Sequence, residues 1–218
     1  MLETRDLVKS FSGPGGEVRA VTGVTLRVAN GEFCMVIGPD SCGKSTLAGM
    51  IGGLTPPSSG KVLIRGEDIW AGSQAKLSRI RGRSLGLIFP SAGLLPNFSI
   101  QENIELPAYV LGSTLRIEIR AEQLLARVGL EGKGQVLPAG LSQCELVRAE
   151  IARALINDPG LIIADDPVCG LSGDEEEQVM RIFSGLHREG KTILLMTTAE
   201  GLAGYAGRVI RMVKGKLL

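Results

Sequence analysis

The sequence predicts an α/β fold with a largely parallel central sheet and a helical insert. Short apolar runs rich in β-branched residues alternate with longer stretches of helical periodicity, the pattern of successive strand–helix units. Several of the short runs are apolar almost throughout, as strands covered on both faces of a sheet must be. From about 91 to 156 the strand signal disappears and helical patterns dominate.

Strand patterns lie at 24–28, Phe33–Ile37, 61–64, 85–89, 161–164, 192–196 and 209–213. Helical patterns lie at 44–54, 117–128, 145–156 and 174–189. In the second helix Glu118, Leu124, Leu125 and Val128 recur at helical spacing, and Gly129 suits a C-cap. The stretch TPPSSG at 55–60 is a plain turn. The expected organisation is one domain over 1–218, with a core of 1–90 and 157–218 and a helical subdomain of about 91–156.

Composition bounds the function. With 44% hydrophobic and 22% charged residues, the 218-residue chain can bury a sizeable core and is not a disordered segment. A net charge of +1 supplies no basic field for a duplex, so nucleic acid is not an expected partner. Mean hydropathy is +0.20, yet no apolar run approaches the ~18 residues of a membrane span. The opening MLETRDLVKS lacks the apolar centre of a signal peptide, so the chain is expected to stay in the cytosol. Cys34, Cys42, Cys144 and Cys169 fit neither a disulfide framework nor a zinc spacing. The single histidine, His187, sits in a charged stretch and reads as solvated surface.

The chemistry begins after the strand at Phe33–Ile37. Gly38, Pro39, Asp40, Ser41, Cys42, Gly43, Lys44, Ser45 and Thr46 spell G-x-x-x-x-G-K-S, between a strand and a helix. Backbone amides of such a loop cradle phosphates at a helix N-terminus. Lys44 reaches the β- and γ-phosphates, and Ser45 offers a hydroxyl to Mg²⁺ with Thr46 beside it. Asp40 adds negative charge near the phosphates, and Ser41 occupies a place where glycine is frequent. Downstream, Leu161-Ile-Ile-Ala-Asp165-Asp166-Pro167 is an apolar strand ending in acid, the pattern in which Asp165 holds Mg²⁺.

These two motifs, with LSQCELVRAEIARAL at 141–155 between them, resemble the nucleotide-binding subunit of ABC transporters over the whole chain. GEVRAVTGVTLRVANGEF (16–33), GGLTPPSSGKVLIRGEDI (52–69) and LGLIFPSAGLLPNFSIQENIELP (85–107) resemble the branch containing lipoprotein-releasing and macrolide-exporter ATPases. The resemblance implies a P-loop NTPase core with a mostly parallel sheet, antiparallel N-terminal strands and a helical subdomain. It implies ATP and Mg²⁺ as ligands and a head-to-tail pair of cassettes sandwiching two ATP molecules. It also implies an integral membrane permease partner and a place on the cytoplasmic face of the membrane. Phe11 falls where the family stacks an aromatic on adenine. The groove around 89–104, with Leu94, Leu95 and Phe98, falls where a helix of the membrane subunit would dock.

Against that pattern several positions are substituted. Pro90 stands where the family has a glutamine that contacts Mg²⁺ and the attacking water. The signature segment reads Leu141-Ser142-Gln143-Cys144-Glu145, so Ser142 remains while Gln143 and Cys144 replace two glycines and are expected to crowd a partner's γ-phosphate. Asp166 replaces the glutamate that polarises water, and its carboxylate is one CH₂ shorter. Ser172 replaces an aspartate, and Thr198 replaces the switch histidine. The groups that hold nucleotide persist, and those that activate water are altered. The expected function is an ATP-binding subunit impaired in hydrolysis, paired with a different ATPase chain, with a homodimer also open. The alternatives are an ATP-stabilised scaffold without turnover and a slow ATPase using Asp166. A kinase or GTPase is disfavoured, because the chain has no Asn-Lys-x-Asp guanine motif. Cys42 and Cys144 would face one another across a homodimer's ATP site, where cysteine standing in for a small residue is a simpler reading than a redox pair.

Overall fold

The computed structural model describes residues 1–13, 16–89, 93–113 and 116–218. One sheet contains β1 (Leu2–Gly13), β2 (Gly16–Val28), β4 (Ser59–Ile64) and β5 (Glu67–Asp68), all antiparallel, in the order β2-β1-β4-β5. The other contains β3 (Phe33–Ile37), β6 (Leu85–Ile88), β7 (Leu161–Asp165), β8 (Thr192–Thr197), β9 (Arg208–Val213) and β10 (Lys216–Leu217). Its order is β10-β9-β3-β8-β7-β6, parallel except for β10. The expected combination of a mostly parallel sheet with antiparallel N-terminal strands is present. Six helices accompany the sheets within these residues: α1 (Lys44–Ile51), α2 (Gln74–Ser84), α3 (Ile100–Val110), α4 (Ile117–Arg127), α5 (Gln143–Leu155) and α6 (Gly173–Arg188). Three of them, α3 to α5, occupy the stretch where the strand signal vanished.

The apolar strands are apolar because both faces are covered. On β3, Phe33, Met35 and Ile37 enter one core while Cys34 and Val36 enter the other. The same alternation splits Ile193 and Leu195 from Leu194 and Met196 on β8. One core lies against α3 to α6, and the other lies between the two sheets around α1. Each buried aliphatic side chain contributes about 1.5–3 kcal/mol, so β3 and β8 anchor the loops that leave their C-terminal ends.

Several elements depart from the sequence reading: α3, β5 and β10 were not expected, β2 extends back to Gly16, and three further departures have a visible cause. β1 carries Glu3, Arg5, Asp6 and Lys9, and its buried positions run Leu2, Thr4, Leu7. A register shift between Thr4 and Leu7, with Asp6 at φ +46°, puts that sequence out of step with period-two alternation. α2 buries only Leu77 and starts at the N-cap Ser73, so it shows no apolar stripe. α1 stops at Ile51 rather than 54, because Gly52 caps it and Gly53 turns to φ +70°.

Candidate nucleotide-binding site

The phosphate loop joins β3 to α1 and is wedged between two backbones. A Cβ on Gly43 would lie 2.2 Å from the Ala20 carbonyl oxygen, and one on Gly38 would lie 2.3 Å from that of Met212. Only glycine fits either place. The Gly215 amide donates to the Cys42 carbonyl at 2.9 Å, so the turn between β9 and β10 backs the loop. Gly38 N–H donates to the Thr197 carbonyl at 3.2 Å and ties the loop to the end of β8. The N-cap of α1 is Gly43, which has no side-chain cap, so the first-turn amides stay available to an anion. Ser41, at φ +58°, is held in the left-handed region.

Lys44 is buried and donates to the carbonyls of Gly38 at 2.8 Å and Pro39 at 3.0 Å. Asp40, Ser41, Lys44, Ser45, Thr46 and Asp166 line a cavity of about 170 Å³ over the loop. Asp165, the last residue of β7, is buried, and its Oδ1 has no hydrogen-bond partner among the described residues. Burial raises its carboxyl above the ordinary 3.8, while the Ser45 hydroxyl that donates to it pulls the other way. An orphaned buried carboxylate oxygen beside a serine hydroxyl is the oxygen donor set that Mg²⁺ takes, so these residues fit that ion.

Asp166 follows at φ +46°, with its amide donating to the Met196 carbonyl at 2.7 Å. Thr197 Oγ1 donates to its Oδ1 at 3.0 Å, and Thr198 Oγ1 lies 3.5 Å from Oδ2. Thr198 therefore meets Asp166 where a switch histidine was expected to meet phosphate. Asp166 also lines a second cavity of about 460 Å³ with Leu94, Gln143 and Glu150. Burial raises the Glu150 carboxyl to about 7, and Arg153 opposes that shift. The sequence reading missed Glu150 and Thr197. The first is a carboxyl in the apolar run AEIARAL, and the second a hydroxyl ending an apolar strand.

The remaining site residues lie apart. Phe11 is half exposed opposite Val18, with the Lys9 ammonium 5.1 Å from its ring centre. Ser142 is the N-cap of α5, accepting from Glu145 N–H at 3.3 Å while the Glu145 carboxylate accepts from Ser142 N–H at 3.0 Å. Lys133 pairs with that carboxylate and, with the Ser142 amide, holds it below the usual range. Gln143 is exposed, but Cys144 is buried in the helical core. The expectation that both would crowd a partner is corrected for Cys144, whose side chain turns inward. Burial also raises its thiol, against a reactive-thiol role. Ser172 caps α6, its hydroxyl donating to Glu175 at 2.9 Å. Pro90 lies outside the described residues. His187 is not solvated surface: its Nε2 lies 3.0 Å from the Gly31 carbonyl, and its ring meets Phe33 edge-on at 5.7 Å.

A groove of about 380 Å³ lies between α2, β6 and α3, lined by Leu54, Arg81, Leu87, Phe89, Leu106 and Val110 among others. Of the apolar residues expected there, Phe89 takes part. Leu94 lines the second cavity instead, and Leu95 and Phe98 are surface-exposed outside the groove. Among the described residues no helix is long and apolar enough to cross a membrane.

Comparison with known proteins places this arrangement. The "Lipoprotein-releasing system ATP-binding protein LolD" of Geobacter metallireducens is 36% identical over 220 residues, covering 100% of this chain and 98% of that protein. The "Macrolide export ATP-binding/permease protein MacB" of Marinobacter nauticus is 36% identical over 219 residues, and there the chain spans only 34% of the relative's length. The dimeric structure of MJ0796, a bacterial ABC transporter cassette, superposes with a TM-score of 0.93 at 30% identity over 100% of this chain and 96% of that one. A second structure of that cassette, in a post-hydrolysis state bound to ADP and Pi, superposes equally well. Residues 21–169 match the ABC transporter family model, and the chain belongs to that family as an ATP-binding cassette.

Proposed function

We propose that this chain is the nucleotide-holding subunit of a membrane ABC complex, that it hydrolyses ATP slowly, and that it pairs with a second, different ATPase chain. The observation that carries the reading is the contrast around the phosphate cavity. Gly43, Lys44 and Ser45 line the cavity, Gly38 packs against the Met212 backbone behind the loop, and Asp165 is hydrogen-bonded to Ser45, while Asp166 is a carboxylate one CH₂ shorter than glutamate. Loop amides and Lys44 bind the phosphates, and Phe11 offers an apolar face to the base. Ser45 and Asp165 would hold Mg²⁺, which neutralises phosphate charge when bound.

Hydrolysis asks more of the site. Water must be oriented within about an ångström, and a misplacement of that size costs roughly 10²-fold in rate. Asp166 is one CH₂ short of a glutamate, and Gln143 replaces a glycine in the segment that faces a partner's ATP. The dimer of the related cassette supports a paired arrangement. The groove lined by Leu87, Phe89 and Leu106 has the apolar floor a helix of a membrane subunit needs. With such a partner the chain sits at the cytoplasmic face of the membrane.

The test is to purify the native complex through a tag on this chain and to identify its ATPase subunits. A second chain with glutamate, glutamine and histidine at the substituted positions supports the pairing. Two copies of this chain alone, turning over ATP at several per second, would overturn both the pairing and the impairment.

A further inference from the structure

Thr197 closes β8 and is fully buried, unlike its exposed neighbour Thr198. Its hydroxyl oxygen accepts the Ala199 amide at 3.1 Å. A hydroxyl has one proton and two lone pairs. With one lone pair taken by that amide, the proton is directed to Asp166 Oδ1 at 3.0 Å. The Thr198 contact, at 3.5 Å, is at the limit of a hydrogen bond and lies in solvent. The fixed contact is therefore Thr197.

The backbone of Asp166 is equally constrained, at φ +46° and with its amide on the Met196 carbonyl. A carboxylate offers about four lone-pair directions. The Thr197 bond uses one and leaves the rest for other partners. Asp166 forms part of the wall of the phosphate cavity and of the larger cavity behind it. A short carboxylate there cannot select its own direction by length, so its aim depends on what grips it.

We propose that Thr197 is a positioning residue for Asp166: its oriented hydroxyl fixes the short carboxylate at the wall of the phosphate cavity and thereby sets the rate at which this chain hydrolyses ATP. The proposal rests on the reading of the chain as a slow ATP-binding cassette. In that hydrolysis the water oxygen bonds to the γ-phosphorus and the bond to the β–γ bridging oxygen breaks. ADP leaves with the electron pair, and the water gives one proton to the Asp166 carboxylate, which returns it to solvent.

The experiment uses the native complex purified through this chain, with protein in excess over γ-labelled ATP. Thr197→Val removes the hydroxyl and keeps the shape. Thr197→Ser keeps the hydroxyl, and Asp166→Asn removes the charged group it holds. The expected result is at least a tenfold slower phosphate release for Thr197→Val, with ATP affinity within twofold of wild type. Thr197→Ser stays within threefold of wild type in rate. In the Asp166→Asn background, Thr197→Val adds no further loss. A wild-type rate for Thr197→Val, or an undiminished loss in the Asp166→Asn background, overturns the proposal. If Thr197→Val does not assemble, Thr197→Ala decides on the same criteria. A wild type with no phosphate release at all also overturns it, and leaves the ATP-binding reading standing. A wild type turning over several ATP per second instead overturns the slow-cassette reading, and the Thr197 comparison still decides this one.

Discussion

The Lys44 ammonium donates to the Gly38 carbonyl at 2.8 Å, so the phosphate loop is closed by its own lysine. A second donor goes to Pro39 at 3.0 Å. An ammonium has three N–H donors, which leaves one for a phosphate while the loop stays closed. Lys44→Ala therefore has two effects. It removes a charge-assisted contact of about 1.5–3 kcal/mol, weakening ATP binding roughly 10–150-fold. It also strands two carbonyls, lowering the melting temperature without nucleotide. Calorimetric titration and a thermal melt measure both, and an unchanged melt would show that the carbonyl contacts carry no weight.

Ser41 sits at φ +58° in the turn of the phosphate loop. The left-handed region costs a residue with a Cβ about 1–2 kcal/mol. Glycine removes that cost and gains about 0.4–1 kcal/mol of unfolded-state entropy, which opposes it. The strain is the larger of the two, so Ser41→Gly is expected to stabilise by about 0.5 kcal/mol and to raise the melting temperature by about 1–2 °C. A fall in melting temperature would mean that the serine hydroxyl contributes more than its backbone costs.

Much of this architecture was legible because local chemistry and tertiary role coincide. Gly43 must be glycine to face Ala20, and the run from Phe33 to Ile37 must be apolar to fill two cores. The strand β1 was not legible, because the bulge at Asp6 breaks its alternation. Nor was α2, which buries a single leucine. At the site, the loop and the acidic strand end declared themselves by spacing. The clamp on Asp166 did not, because Thr197 and Asp166 are 31 residues apart and meet only through the pairing of β7 with β8. His187 misled for the reverse reason: its charged neighbours face solvent, while its ring reaches Phe33 and Gly31.

Asp165 sets stability against ligand binding. Its carboxyl is held above the ordinary 3.8 by burial, and its Oδ1 has no hydrogen-bond partner among the described residues. The folded state therefore gives up stability as pH rises through the folded pKa. Asp165→Asn removes the buried charge and keeps the shape. Without nucleotide the variant is expected to melt higher than wild type at pH 7. It also loses the Mg²⁺-dependent gain in ATP affinity, by at least the 10–100-fold that even outer-shell partners of a metal carry. Melting curves and ATP titrations with and without Mg²⁺ read the two effects separately. An Mg²⁺ dependence that survives the substitution would move the metal site elsewhere.

Glu150 gives the chain a stability that depends on pH near neutrality. Its carboxyl lies in the cavity it shares with Asp165, Asp166 and Cys169, and burial raises it from the ordinary 4.5 to about 7, against the opposing Arg153 charge. Between those two values the folded state holds a proton that the unfolded chain has released. By linkage, the stability this group contributes is complete below about 4.5 and is lost as pH rises through about 7. Above that range a charge is buried without full compensation. Glu150→Gln keeps the volume and cannot ionise. The variant is expected to melt higher than wild type at pH 8, and the gap between them to narrow steadily as pH falls to 5. Thermal denaturation across that range, in buffers of matched ionic strength, checks the sign directly. A gap that stays constant from pH 5 to 8 would show that the carboxyl titrates alike in both states and that water reaches it in the fold.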